Sequence, residues 1–458
     1  MSTAADHRAL AALAAPIALT QLAQVALTTT DTIMIGALGA EALAGGGLAI
    51  VLFNQVRTMG VGLVTAVGNQ VAGAVATAEH RGEHSTSEDS ADEARDVVRS
   101  ALAVGTLAGL LGAMLLVAIG QSLNRLGQDA EVAVLANTML VALAPGLVPC
   151  LWFQALRQYT VGMRRPRALV WITSVSIGVN VALNALLGFG LGPVPAFGLA
   201  GIGIATTLVY LLSFAMLTVA IRRDPALAPA LSLAAWRARG ATIRRVARLG
   251  VPIAATYGSE AGFFSVVALV MGGFGPAVLA AHTVVNQLVY VVFQISVGLS
   301  HGSSILVSRE MATGRRSSAA RMARTALLQG AAVAGVVAVP YLVAPDLVLG
   351  VFLDATDRAD AAAISVATSL LVVAAFLQFA DSAQNIGVGL LRGLDDTAAG
   401  FRATLIGYWV VGLPAALLLG KFAGLGPVGV WLGLLGGLAV TAVLLLRRYA
   451  RALPAPTW

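Results

Sequence analysis

Apolar runs of roughly 20 or more residues recur along the whole chain, separated by short polar or charged breaks. A helical run of that length crosses a ~30 Å hydrocarbon core. Twelve spans are read, at about 11–36, 46–76, 99–121, 133–155, 168–190, 197–220, 246–272, 279–308, 322–345, 362–390, 401–420 and 424–446. The pattern predicts an all-α polytopic membrane protein. The break at 79–99 is charged, lacks apolar periodicity and is read as a solvated loop. Its His80 and His84 have an i,i+4 spacing that a helix could turn toward a metal, but the solvated loop is the preferred reading.

The pattern repeats. When Pro16-Ile17-Ala18 is laid on Pro252-Ile253-Ala254, the same shift brings Gly36 and Gly39 onto Gly272 and Gly275, and Gly62 onto Gly298. Positions 16–71 give 14 identities in 56 ungapped pairs, where this composition gives roughly one match in ten by chance. Each repeat holds six spans. Six is even, so the halves run in the same direction and form a parallel repeat. The expected organisation is an N-terminal lobe over 1–222, a linker over 223–245 and a C-terminal lobe over 246–458, with a cavity between two six-helix bundles. Pro16 either starts its helix or bends it.

Charge changes the picture in one respect. The pI near 10.1 invites a nucleic-acid reading, but 25 of the 29 Lys and Arg residues fall in breaks on one side of the predicted topology. Only Arg125, Arg358 and Lys421 fall on the other, and Arg57 lies within a span. This is the positive-inside pattern, and it places both termini in the cytoplasm of a plasma-membrane protein. The basic charge is topological, and no nucleic-acid partner is expected. Cys150 is the single cysteine, so an intrachain disulfide is excluded. No cleavable signal peptide is read, because the first apolar run is too long and has a counterpart later in the chain.

Three of the 22 acids lie inside spans: Asp31, Glu260 and Asp381. An acid at the centre of a membrane helix costs about 2.5–3.5 kcal/mol on insertion scales, which makes such a residue a functional candidate. In the repeat Glu260 meets Gln24, Asp31 meets Val267 and Asp381 falls near Cys150, so fold symmetry does not require the acids. Asn385 lies one turn after Asp381 and Tyr257 nearly one turn before Glu260. Carboxylate, amide and hydroxyl oxygens suit a hard cation such as Na⁺, and two crowded carboxylates equally suit proton uptake. Asp31 is read as a further coupling acid, with a structural ion pair to Arg57 as the alternative. His282 and His301 are read as hydrogen-bonded packing residues, and Asn286 and Gln287 as interhelical glue.

Several segments together resemble the MATE multidrug and toxin extrusion transporters. Asp31-Thr32-Ile33-Met34-Ile35-Gly36 with Leu38-Gly39 and Leu43-Ala44 resembles the family's first helix. Gly198-Leu199-Ala200-Gly201 with Ala205-Thr206 resembles the sixth, and Ala280-Ala281-His282 with Gly298-Leu299 the eighth. Asp381-Ser382-Ala383-Gln384 running into Leu391-Arg392-Gly393-Leu394-Asp395-Asp396-Thr397 resembles the tenth helix and its following loop. The resemblance implies a V-shaped molecule that rocks between two open states and exports organic cations or other amphipathic toxins in exchange for Na⁺ or H⁺. One branch of the family carries an acid in the fifth helix. This chain has Asn180 and Asn184 there, and with Glu260 and Asp381 it is similar to the NorM-like branch, whose coupling site lies in the C-terminal lobe.

The rival functions are weaker. A lipid-linked-oligosaccharide flippase of the same superfamily would be expected to line its cavity with several cations, and Arg57 alone falls short. The loop signature of the major facilitator carriers is missing. No His-Glu-x-x-His or P-loop is present, so neither an enzyme nor a nucleotide partner is expected, and no cofactor beyond the coupling ion.

Overall fold

The computed structural model describes residues 4–81, 87–191, 194–353 and 358–453. Among the described residues, twelve helices are long and apolar enough to cross a membrane. The first six are α1 (Ala4–Gly36), α2 (Ala40–His80), α3 (Ala91–Leu126), α4 (Ala130–Gly162), α5 (Arg167–Gly188) and α6 (Gly198–Arg223). The second six are α7 (Gly240–Gly272), α8 (Pro276–Ala312), α9 (Arg316–Val343), α10 (Ala361–Gly393), α11 (Thr397–Phe422) and α12 (Gly426–Ala452).

The repeat is visible in the backbone. Gly39 (φ 118°, ψ 167°) ends the α1–α2 turn, and its repeat mate Gly275 (φ 116°, ψ 168°) ends the α7–α8 turn. Both φ values lie where a Cβ is strongly disfavoured. Pro16 lies inside α1 and Pro252 inside α7, so Pro16 does not start its helix; each ring removes one ladder hydrogen bond from a long helix.

By packing, the chain forms two compact units, which divide within α1 and α7 rather than at the 223–245 linker. The middle unit is Leu19–Ala255. The split unit joins Met1–Ala18 to Thr256–Trp458. The physical reason is close backbone approach between small residues. A Cβ on Gly298 of α8 would come 2.9 Å from the Cβ of Ala18 in α1, inside the split unit. The middle unit has the equivalent contact between Gly62 of α2 and Ala254 of α7. Such contacts suit membrane helices, whose association draws on van der Waals packing more than on hydrophobic exclusion. Each unit has its own apolar core. Ile35, Phe53, Leu140 and Ile202 mark the middle one, and Phe263, Leu371, Trp431 and Leu438 the split one.

The charged break at 79–99 is a loop only in part. Residues 87–122 form one continuous helix, which makes up all but the last turn of α3 and begins four residues before it. His84 lies outside the described residues, so the His80–His84 spacing has no structural counterpart here. The helix extends because its charged turns find partners in the linker. Arg95 donates to the Pro229 carbonyl and Arg99 to the Ser232 hydroxyl, at 3.1 and 2.9 Å. The buried Asp96 accepts the Arg239 N–H at 3.0 Å and the Thr242 hydroxyl at 2.5 Å, satisfying donors where α7 begins.

Candidate functional site

In the split unit, α7, α10 and α11 bring five polar side chains together. Asp381 is 5% exposed and Glu260 is half-buried. Their charges are close enough to interact. Asn385 Nδ2 donates to Asp381 Oδ1 at 3.1 Å, as the one-turn spacing predicts, and also to the Asp381 carbonyl at 3.0 Å. The Tyr408 hydroxyl lies 3.2 Å from Glu260 Oε1 and 3.0 Å from Gln384 Oε1. A hydroxyl has one proton to give. If Glu260 accepts it, the Gln384 amide turns its NH₂ toward the phenol oxygen. Tyr408 and Gln384 are buried, so Glu260 is bonded through Tyr408 to Gln384 while Asp381 is bonded to Asn385; the sequence alone did not single out Tyr408 and offered Gln384 only as part of a motif.

Two local features make this possible. Residues Ile406–Gly412 of α11 form a π-helical segment, which carries Tyr408, and such segments recur at functional sites. The Tyr408 ring stacks on Phe263 of α7 at 4.9 Å between centroids, while Trp409 Nε1 donates to Ser259 Oγ at 2.8 Å. Glu260 is thus flanked by two aromatic contacts from α11. Tyr257 makes no hydrogen bond to either acid among the described residues. His282 is buried and accepts a hydrogen bond from Trp431 Nε1 at 3.2 Å, with the rings edge-on, which matches a packing role.

In the middle unit, Asp31 of α1 meets α5 and α6. Asn184 Nδ2 donates to Asp31 Oδ1 at 2.7 Å and lies 3.2 Å from Asn180 Oδ1. Thr206 Oγ1 donates to Asp31 Oδ2 at 3.3 Å. All four side chains are at most 5% exposed. Asn184 opens the π-helical segment Asn184–Gly188, and its Oδ1 is buried with no hydrogen-bond partner among the described residues. Among the described residues, the hydrogen-bond partners of Asp31 are neutral. Arg57 Nε donates to Asn54 Oδ1 at 3.1 Å, and its guanidinium lies beside the Cys150 thiol. Tyr210, stacked on Phe53, is within electrostatic reach of both Asp31 and Arg57. Gln24 contributes its carbonyl to the Thr28 hydroxyl at 3.2 Å.

Among the described residues, twelve membrane-length helices, three of them carrying an intramembrane carboxylate, define a multi-pass membrane protein. The chain belongs to the MatE family, whose model matches residues 16–186 and 252–418. A probable multidrug resistance protein NorM of Pseudomonas aeruginosa is 37% identical over 466 residues, covering 99% of this chain and 91% of that protein. One of the same name from Deinococcus radiodurans is 35% identical over 452 residues, covering 98% and 96%. Among solved structures, the eukaryotic MATE transporter AtDTX14 aligns with a TM-score of 0.83 at 20% identity, over 98% of both chains. The Vibrio cholerae MATE transporter VcmN in its bent form also aligns with a TM-score of 0.83, at 14% identity, over 98% of this chain and 97% of that one. These two likenesses speak to the fold.

Proposed function

We propose that the protein is a secondary antiporter that expels amphipathic or cationic drugs from the cell in exchange for an inward-moving cation. The observation that carries this reading is the Glu260–Asp381 pair, joined to Asn385, Tyr408 and Gln384. Two carboxylates this close repel unless a proton or a cation lies between them. A cation bound there changes the charge and hydrogen bonding of three helices at once. Coupling further requires that it favour one of two open states, since equal affinity for both shifts nothing. The ligand-capable atoms of the pair are all oxygens, which suit Na⁺ and H⁺ alike; the likeness to the NorM-like branch favours Na⁺, with H⁺ as the alternative.

Asp31, with Asn180, Asn184 and Thr206, is proposed as a second charge-bearing site. The two halves of the repeat act as the transporting lobes, with both termini in the cytoplasm, in keeping with the arginine distribution. The NorM name of the relatives supports drugs as the cargo. The test is transport of a fluorescent organic cation in liposomes holding purified protein, with sodium and pH gradients imposed separately. Transport driven by a sodium gradient alone supports Na⁺ coupling, and transport driven by a pH gradient alone supports H⁺. Transport indifferent to both overturns the reading.

A further inference from the structure

The turn between α4 and α5 has a counterpart in the second repeat, and the two carry opposite charges. Gly162 and Gly393 end equivalent helices and pack against Val71 and Val307, which are themselves repeat mates. Two residues after each glycine the chain turns left-handed, at Arg164 (φ 58°) and at Asp395 (φ 59°). In the second repeat Asp396 caps α11 and pairs with Arg448 at 2.8 Å. In the first, Arg165 donates to both oxygens of Asp224, at 3.1 and 3.0 Å. The fold therefore does not need cations at this turn, and a left-handed residue accommodates Asp, Asn or Gly more readily than Arg.

What the arginines of the first repeat do have is a cavity of about 600 Å³, which they help to line. Arg164, Arg165 and Arg167 line it together with Trp171, one turn after Arg167, and the half-buried Ala168 and Ala220. It lies where three spans end together: α4 at Gly162, α5 at Arg167 and α6 at Arg223. Asp224 is the acid on its wall, and Arg165 answers it. Among the described residues, Arg164 and Arg167 pair with no carboxylate, and both are exposed. Trp171 is 51% exposed, one turn into α5, and Trp is enriched at the ends of membrane helices.

A net positive rim over an apolar wall at a membrane boundary matches one ligand chemistry. A free anion would use the rim and leave the wall empty. A zwitterionic lipid would bring its own cation to the arginines. We propose that this cavity binds the headgroup of an anionic phospholipid, with Arg164 and Arg167 on the phosphate and Trp171, Ala168 and Ala220 along the glycerol and first methylenes.

The test titrates delipidated protein in neutral detergent with short-chain phosphatidylglycerol, phosphatidylcholine or inorganic phosphate, and counts bound molecules by native mass spectrometry. Phosphatidylglycerol should bind with a one-to-one component that R164Q/R167Q weakens at least about tenfold, as expected for loss of two charge-assisted contacts. R222Q/R223Q removes equal charge from the neighbouring helix end and should leave that component intact. W171A, which keeps the rim charges, should weaken it too, and provides the reading if the arginine variant does not fold. Equal binding of phosphatidylcholine, equal binding of inorganic phosphate, or lipid binding unchanged in R164Q/R167Q or in W171A would each overturn the proposal.

Discussion

Gly62 of α2 lies so close to Ala254 of α7 that a Cβ built on the glycine would come within 2.6 Å of the Ala254 Cα. Its repeat mate Gly298 meets Ala18, which is the repeat mate of Ala254, so the same close crossing is used twice. These crossings attach the first half of α7 to the middle unit and the first half of α1 to the split unit. The Pro16 and Pro252 rings lie two residues before the paired alanines, where each long helix passes from one unit to the other.

Gly62→Ala should therefore destabilise the protein. The added methyl meets backbone, which cannot rotate away, and overpacking of this kind costs about 1–3 kcal/mol. Gly298→Ala should behave alike. Gly47→Ala, on the same helix as Gly62 but with open space around its Cβ, should be silent. Thermal unfolding followed by size-exclusion fluorescence in detergent measures all three. A Gly62→Ala melting curve that overlays the Gly47→Ala curve would show that the crossing is looser than the structure has it.

Asp31→Asn should preserve the fold and impair drug export. The substitution is nearly isosteric. The new amide can turn its oxygen to Asn184 Nδ2 and its NH₂ to the Thr206 hydroxyl, so both contacts survive and only the charge is lost. Reconstituted protein should melt within a few degrees of wild type while drug efflux falls several-fold. Full efflux with an unchanged ion dependence would make Asp31 a structural acid.

Tyr408→Phe isolates the hydroxyl. The ring remains stacked on Phe263, and the bonds to Glu260 and Gln384 disappear. A hydrogen bond to a charged group is worth about 1.5–3 kcal/mol, which converts to roughly ten- to a hundredfold in apparent affinity for the coupling ion. Efflux at saturating drug, measured against increasing sodium or falling external pH, should shift by that factor with a smaller change in its maximum. A half-saturation point that does not move would remove Tyr408 from the ion site.

Much of this was legible from the sequence. Twelve spans follow from runs of apolar residues, because a bilayer imposes one length on every crossing. The three acids stand out because lipid makes a carboxylate costly. Asn385 follows from a one-turn spacing, and Asn184 was within reach through the branch comparison. Tyr408 was not. A tyrosine in an apolar span reads as packing, and its reach to Glu260 depends on a π-helical turn that leaves no periodic signal. Thr206 was visible as part of a motif but carried no role until α6 was placed against α1. The helix from Ser87 was missed for a different reason: charged residues look solvated until their partners, here Pro229, Ser232, Arg239 and Thr242, are found far along the chain. The division within α1 and α7 was equally hidden, since it depends on which glycine meets which alanine across the fold.

The strongest prediction concerns Glu260 and Asp381 as one site. Each carboxylate changes the cost of ionising the other, because their charges interact. Glu260→Gln removes one charge and leaves an amide that can still accept from Tyr408. Asp381→Asn removes the other and keeps a carbonyl oxygen for Asn385. Each single variant should express and fold, and each should lose ion-driven efflux. The double variant should lose little more than either single, since residues that share one bound ion are coupled rather than additive. Drug efflux under a sodium gradient and, separately, under a pH gradient closes the cycle. Two outcomes would refute a shared site: additive losses in the double variant, or a single variant that retains wild-type coupling. A further distinction lies in the ion. If Na⁺ is the driver, each single variant should also lose sodium-dependent protection of the fold against heating, because a bound ion stabilises the state that binds it. If protons are the driver, sodium should never have protected the wild type.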